Sequence, residues 1–290
     1  MRPAVSRLPY PGNSPLLKFS IVFEDTEDFW YSAVMKKESM DTLLITREAL
    51  CQKDGHIGRR PEEVCVERVI RLFLNDEPIG SLVASPSQLQ ELGAGFVISE
   101  GIAQKVTDVT TDGEIVRVSA ERIEKPRDMV TGSSGGMSSG ALRPGIDSKL
   151  TIERNDVFRI IAGIVSELWE RTGGAHCSVL YAGNEFIARS SDVGRHNTVD
   201  KVIGYAVLNH IDLSVCALGC TGRQPAGMIS KAVNAGIPIV VSKAATTDEG
   251  IDLAIRSGLT LVCRVKADRF CVYSHPERIR GILAEDLRKG

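Results

Sequence analysis

The chain has 290 residues, 43% of them hydrophobic and 25% charged, with 35 basic against 37 acidic side chains and a net charge of -2. That length can bury a substantial core in one large or two modest domains, and the charge balance excludes a globally basic nucleic-acid binder. No apolar run approaches the ~20 residues of a membrane span, and the 7 cysteines, odd in number and irregular in spacing, point to reduced thiols rather than a disulfide framework.

The start, MRPAVSRLPYPGNSPLLKFSIVF, carries one short apolar stretch broken by Lys18 and no small-residue cleavage pattern, so a cytoplasmic location is expected. Residues 1–60 lack clear periodicity and read as a partly ordered extension. VERVIRLFLN and IGSLVAS alternate as strands joined by a turn at Asp76-Glu77-Pro78. Ser87 is placed to cap a helix through Leu89, Leu92, Phe96 and Val97, ending near Gly101. IVRVSA, from Ile115, reads as a strand. Thr131 to Gly140, TGSSGGMSSG, is a flexible loop by composition. Together these make residues 61–150 a smaller α+β subdomain.

The rest, 151–290, reads as an α/β domain. Val157, Ile160, Ile161, Ile164 and Leu168 repeat at helical spacing between Asn155 and Thr172, and Gly173-Gly174 stops that helix. CSVLYA and EFIARS form a hairpin turning at Gly183-Asn184. Asn197 to Asn209 is a helix, LSVCALGC a buried strand, and Pro225 to Ala235 a helix with proline in its first turn. IPIVVS, LTLVCRV and FCVYS are strands, Asp248 to Ser257 a helix, and Pro276 to Leu287 a terminal helix. Strands alternating with helices predict a mainly parallel sheet covered on both faces.

Four segments fall just after strands or before helices, where such a sheet builds a site. The richest is ARSSDVGRHNTVDK, which gathers Asp192, Arg195, His196, Asn197, Asp200 and Lys201 around Gly194. A helix start there offers free N–H groups to an anion; the plain alternative is a capped helix with solvated charges. Asp192 suits a ring N–H or amine, and Arg195 and Lys201 suit phosphates. GGAHCS supplies His176 and Cys177. CTGRQPAGM supplies Cys220, Thr221, Gly222 and Arg223 before a helix start. CRVKADR supplies Arg264 and Lys266, either a solvated edge or a second phosphate contact. The Cys/His spacings do not match zinc clusters, so no metal site is expected.

Taken in order, GGAHCSVL, ARSSDVGRHNTVDKVIG, TGR, KAVNAGIPIVVSKAATT, GLTLVC and VYSHPERI are similar to the formate dehydrogenase accessory proteins of the FdhD type, the accessory sulfurtransferases. The resemblance runs from about Val64 to Arg280. It implies a cytidine-deaminase-like layered α/β/α fold with a smaller N-terminal β-rich subdomain and without the deaminase zinc. It also implies binding of the molybdopterin guanine dinucleotide cofactor, a formate dehydrogenase apoenzyme and a cysteine desulfurase as partners, and a homodimer. No nucleic acid and no membrane are implied.

The same resemblance assigns sulfur transfer to a C-x-x-C loop, which aligns here with Thr131 to Gly140. Ser134 and Met137 stand at the cysteine positions, and no cysteine occurs between Cys65 and Cys177. Ser191, Thr221 and Gly227 are further departures. Neither a hydroxyl nor a thioether forms a persulfide. Two readings therefore stand open: an accessory factor that binds the cofactor without transferring sulfur, or a sulfurtransferase whose thiol has moved to Cys220 or Cys177. A third is a divergent nucleotide-acting enzyme on a deaminase-like scaffold. The cofactor-binding set expected is His176, Asp192, Gly194, Arg195, His196, Asn197, Lys201, Thr221, Gly222, Arg223, Arg264 and Lys266.

Overall fold

In a computed structural model, residues 40–123 and 145–282 are described, together with strand residues 130–131 and 137–138. A one-turn helix α1 (Met40–Leu43) leads into a long hairpin of β1 (Leu44–Lys53) and β2 (His56–Cys65). Strands β3 (Arg68–Leu74) and β4 (Glu77–Ala84), helix α2 (Leu89–Ser99), and strands β5 (Ala103–Asp112) and β6 (Ile115–Arg122) follow. After the short pair β7 (Val130–Thr131) and β8 (Met137–Ser138) come β9 (Ile152–Glu153), α3 (Arg154–Ala162) and α4 (Glu167–Thr172). The remainder is β10 (His176–Ala182), β11 (Glu185–Asp192), α5 (Arg195–Leu208), β12 (Ala217–Cys220), α6 (Ala226–Ala235), β13 (Ile239–Ser242), α7 (Asp248–Arg256), β14 (Thr260–Cys263), β15 (Cys271–Ser274) and β16 (Ile279–Arg280).

The fold is a mixed α/β arrangement of a four-stranded sheet, β4-β3-β6-β5, and a six-stranded sheet, β11-β10-β12-β13-β14-β15. The larger sheet is mixed, not mainly parallel as expected. Only β12, β13 and β14 run parallel to one another, because α6 and α7 carry the chain back between them. The Gly183-Asn184 turn, foreseen from sequence, makes β10 and β11 antiparallel, and the loop 264–270 is too short to return β15 any other way. One face of the sheet packs Leu180, Leu218, Val240 and Leu261 against α5, α6 and α7. The other packs Val179, Val241 and Val262 against Val157 and Ile160 of α3.

Helix α2 joins the two halves. Eight consecutive residues, Leu92 to Ser99, are buried, because the four-stranded sheet covers one side and α5 the other. The α2–α5 crossing is backbone on backbone. A Cβ on Gly95 would lie 1.7 Å from the Asp200 carbonyl oxygen, and one on Gly204 would lie 1.8 Å from that of Glu91.

Several expectations are corrected. Within the extension, residues 40–60 carry α1, β1 and the first half of β2, a hairpin paired over ten positions and turning at Asp54-Gly55, both with positive φ. Its strands are solvated on both faces over most of their length, so no single apolar stripe marked them. Gln88, in a left-handed conformation, precedes α2 in place of Ser87 and makes no side-chain cap. Strand β5 was not foreseen, since mostly polar residues alternate there. The helix expected over 155–172 is two helices: Gly163 ends α3, and Ser166 accepts the Trp169 N–H at 3.2 Å to start α4. LSVCALGC opens as a 3₁₀ turn capped by Asp212 before β12.

The terminal helix from Pro276 is a 3₁₀ turn, Pro276–Arg278, followed by β16 pairing with β9. Buried Arg278 holds it there by donating to the carbonyls of Ser148 and Gly258. Ser134 and most of the serine-glycine loop lie outside the described residues, as do residues 283–290. Among the described residues, no helix is long and apolar enough to cross a membrane.

Candidate functional site

Strand direction brings the expected residues to one edge of the six-stranded sheet. β11, β12, β13 and β14 end there, while β10 and β15 begin there. His176 therefore stands at the start of β10 opposite Asp192 at the end of β11. Thr221, Gly222 and Arg223 leave β12, Arg264 and Lys266 leave β14, and α5 and α6 start over the same edge. The carboxyl ends of parallel strands are where open α/β sheets bind ligands.

Asp192 and Lys201 do not face a ligand, which corrects their expected roles. Both are 0% exposed and form an ion pair, Nζ to Oδ2, at 2.6 Å. Asp192 Oδ2 also accepts the Ser85 N–H at 3.0 Å, and Oδ1 accepts the Gly194 N–H and Asn197 Nδ2, each at 2.8 Å. Four donors fill the carboxylate, leaving no acceptor for a guanine edge. Lys201 Nζ donates its second bond to the Ser85 carbonyl, and Asn197 Nδ2 also reaches the Val83 carbonyl. Asn197 is thus a strut too. The network ties the end of β11 and the start of α5 to the end of β4, locking the small sheet onto the large one.

Arg195 is placed differently. Its Nε is buried without a hydrogen-bond partner, and burial together with Arg223 makes its charge harder to hold. Gly222 makes room for it: a Cβ there would sit 2.8 Å from Arg195 Cδ. Burial first, then Arg195, lowers the His176 pKa. Burial, with Lys231, Arg195 and His176, pushes His196 down to about 3. His176 Nδ1 meets Thr221 Oγ1 at 3.0 Å, and that oxygen also accepts the Cys177 N–H at 3.1 Å.

The result is a cluster of donors and cations whose nearest carboxylate, Asp192, is already committed to Lys201 and three further donors. Helix α7 has its first turn capped by the Thr247 side chain, whereas α5 and α6 start at Gly194 and Pro225 with no side-chain cap. Their free N–H groups and helix dipoles add positive potential. This arrangement can bind an anion, and a phosphate would supply acceptors for Arg195 Nε and relieve the Arg195–Arg223 repulsion. Arg264 and Lys266 are exposed further along the edge.

The histidines set a pH dependence. A folded-state pKa of about 3 for His196, against an unfolded value of about 6.5, means the unfolded chain binds the extra proton. Its contribution is present above about pH 6.5 and is lost as pH falls toward about 3. Asp200, raised to about 6 by burial, works in the opposite sense across part of that window. Chemical denaturation of wild type and His196→Gln at several pH values isolates the histidine. The substituted protein is expected to lose less stability between about pH 6.5 and 3; parallel curves would contradict the assignment.

Neither relocated-thiol candidate is available. Cys177 and Cys220 are each 1% exposed, and burial pushes the Cys220 thiol up to about 12. Ending a strand did not expose Cys220, because α6 folds back over that face. A thiol buried in that way cannot be reached by an outside persulfide donor.

Comparison with known proteins now bears on the site. The family model described as the FdhD/NarQ family matches residues 65–280. The chain belongs to the FdhD/NarQ family. A relative named "Sulfur carrier protein FdhD" from Methanothermobacter thermautotrophicus is 36% identical over 236 residues, covering 78% of this chain and 95% of that protein. Another of the same name from Sulfolobus acidocaldarius is 32% identical and covers 78% and 95%. The crystal structure of a "putative formate dehydrogenase accessory protein" from Desulfotalea psychrophila matches with a TM-score of 0.69 at 29% identity, over 82% of this chain and 99% of that one.

The FdhD/NarQ match begins at Cys65, so all but the last residue of the β1–β2 hairpin lies ahead of it. Ser85 was missed in the sequence although it gives Asp192 and Lys201 two of their bonds and also accepts the Val193 N–H. It lies 107 residues from Asp192, and no local pattern links them. Lys231 was missed too. Buried in α6, it pairs with Asp200 and Glu100 at 2.8 and 2.6 Å. That trio joins α5, α6 and the end of α2 beneath His196.

Proposed function

We propose that this FdhD/NarQ protein is an accessory factor in the maturation of a formate dehydrogenase, and that it binds the molybdopterin guanine dinucleotide cofactor by its phosphates. The observation that carries the reading is the partnerless, buried Nε of Arg195 beside Arg223, between two uncapped helix starts. A diphosphate supplies acceptors to all of these at once. His176, His196, Thr221 and Gly222 line the same place, with Arg264 and Lys266 available to a ligand that extends along the edge. The cofactor is cargo here, and the formate dehydrogenase apoenzyme is the partner that receives it.

Guanosine diphosphate tests this. A ligand that binds only the folded state raises stability by about 2.7 kcal/mol at a hundred times its Kd. The melting temperature is expected to rise with guanosine diphosphate and to stay put with guanosine, which lacks the phosphates. Equal shifts, or none at millimolar nucleotide in a folded sample, would count against phosphate binding.

The accessory role extends to carrying sulfur from a cysteine desulfurase. Relatives from two organisms are named "Sulfur carrier protein FdhD", and among the 7 cysteines of this chain Cys271 is exposed.

A further inference from the structure

A row of small hydroxyl and thiol side chains crosses the large sheet beneath the candidate site. Ser190 pairs with Ser178, Ser178 with Cys220, and Cys220 with Ser242. Val241 pairs with Val262, one residue before Ser242 and Cys263, and Cys263 pairs with Cys271. The row is buried until its last member, Cys271, which opens β15 at the sheet margin and is exposed.

Cys263 and Cys271 are therefore directly opposed residues on antiparallel strands. Such positions place Cα atoms roughly 4.5–5.5 Å apart, within the span a disulfide bridges. Burial first, then Cys220 and Cys271, raises the Cys263 thiol, as expected of neighbouring sulfurs. They stand at the same edge as Arg195 and Arg223. β15 lies three strands from β12, which at about 4.8 Å per strand puts Cys271 about 14 Å from Cys220 along that edge. The connecting loop carries Arg264, Lys266 and Arg269, all exposed, which attract anionic sulfur species.

We propose that Cys271 and Cys263 form a cross-strand dithiol that receives sulfane sulfur from a persulfide donor and reduces it to sulfide at the β15 end of the sheet edge that carries the candidate site. In the first step the Cys271 thiolate attacks the outer sulfur of R–S–SH. The donor S–S bond breaks, R–S⁻ leaves, and Cys271 becomes Cys271–S–SH. In the second, the Cys263 sulfur attacks the inner sulfur of that persulfide. The Cys263–Cys271 disulfide forms and hydrogen sulfide leaves with both protons. The two thiols are oxidised by two electrons and the sulfane sulfur is reduced by two. A dithiol of the thioredoxin class resets the pair by exchange.

Burial pushes the Cys263 thiol up to about 12, so little of it is thiolate and the second step is slow. Its fixed place opposite Cys271 makes the attack intramolecular, which favours it over any outside thiol. The persulfide on Cys271 is slow to resolve and so can be trapped.

The inference rests on the sulfur-carrier reading, and the experiment separates the two. The reduced full-length protein is treated with glutathione persulfide, alkylated and mapped by peptide mass spectrometry, while released sulfide is measured. One extra sulfur is expected on Cys271, then a Cys263–Cys271 disulfide with one sulfide per chain. Cys271→Ser abolishes both signals. Cys263→Ala, checked for native circular dichroism beside Cys263→Ser, keeps sulfur on Cys271 without releasing sulfide. Sulfur on Cys51 or Cys65 with Cys271 unmodified overturns this proposal and leaves sulfur carriage standing. So does unchanged sulfide release from Cys263→Ala. No sulfur on any cysteine removes the sulfur-carrier reading and this dithiol with it.

Discussion

Asp192→Ala is expected to lower stability by about 3–5 kcal/mol, the penalty of stranding a buried charge without its partner. Lys201 is 0% exposed and, among the described residues, its ammonium meets no other acid, only the Ser85 carbonyl at 3.2 Å. The substitution also strips acceptors from the Ser85 and Gly194 N–H groups and from Asn197. In urea titrations the midpoint falls while the slope stays near the wild-type value. Asp192→Ala combined with Lys201→Met recovers part of the loss, because it removes the stranded charge. A loss under about 1 kcal/mol would mean that the pair is solvated and that Asp192 is free for a ligand after all.

Gly204→Ala is the second large effect. Overpacking a core usually costs about 1–3 kcal/mol because side chains can shift. Here the obstacle is the Glu91 carbonyl, 1.8 Å from the new Cβ, so α2 and α5 must move apart. The expected loss is at or above the top of that range. Separation also breaks the Ser99–Asp200 bond between these helices and pulls apart Asp200 and Glu100, which Lys231 of α6 holds together. A melting temperature within a few degrees of wild type would show that the helices are not in backbone contact.

Local pattern revealed the elements that bury one face. The Gly183-Asn184 hairpin, α5, α6 and α7 are all legible because their apolar residues repeat and their ends carry glycine, proline or a cap. The β1–β2 ribbon and β5 are not, since polar residues occupy most of their positions. The break between α3 and α4 escaped because the apolar spacing continues from Ile160 and Ile164 to Leu168, across Gly163, which ends α3, and Ser166, which caps α4.

Within the site, residue type alone misled. Asp192, Arg195 and Lys201 share one segment, yet the buried ion pair turns two of them inward and leaves only Arg195 at the edge. What decides between them is Ser85 and Val83, which arrive from a different sheet. Cys220 failed for a related reason: its position at a strand end was legible, but the helix folded over it was not. Cys271 looked unremarkable in sequence because its partner Cys263 is opposed only through the return of β15.

The central claim is that the cluster around Arg195 holds the phosphates of a guanine nucleotide. Calorimetric titration of guanosine diphosphate into wild type and Arg195→Ala tests it most directly, with both proteins first shown to melt at similar temperatures. Wild type is expected to bind with a single saturable phase that weakens as salt rises, and Arg195→Ala to lose most of that affinity. Equal affinity in the two proteins, or no heat of binding from folded wild type at millimolar nucleotide, would contradict it.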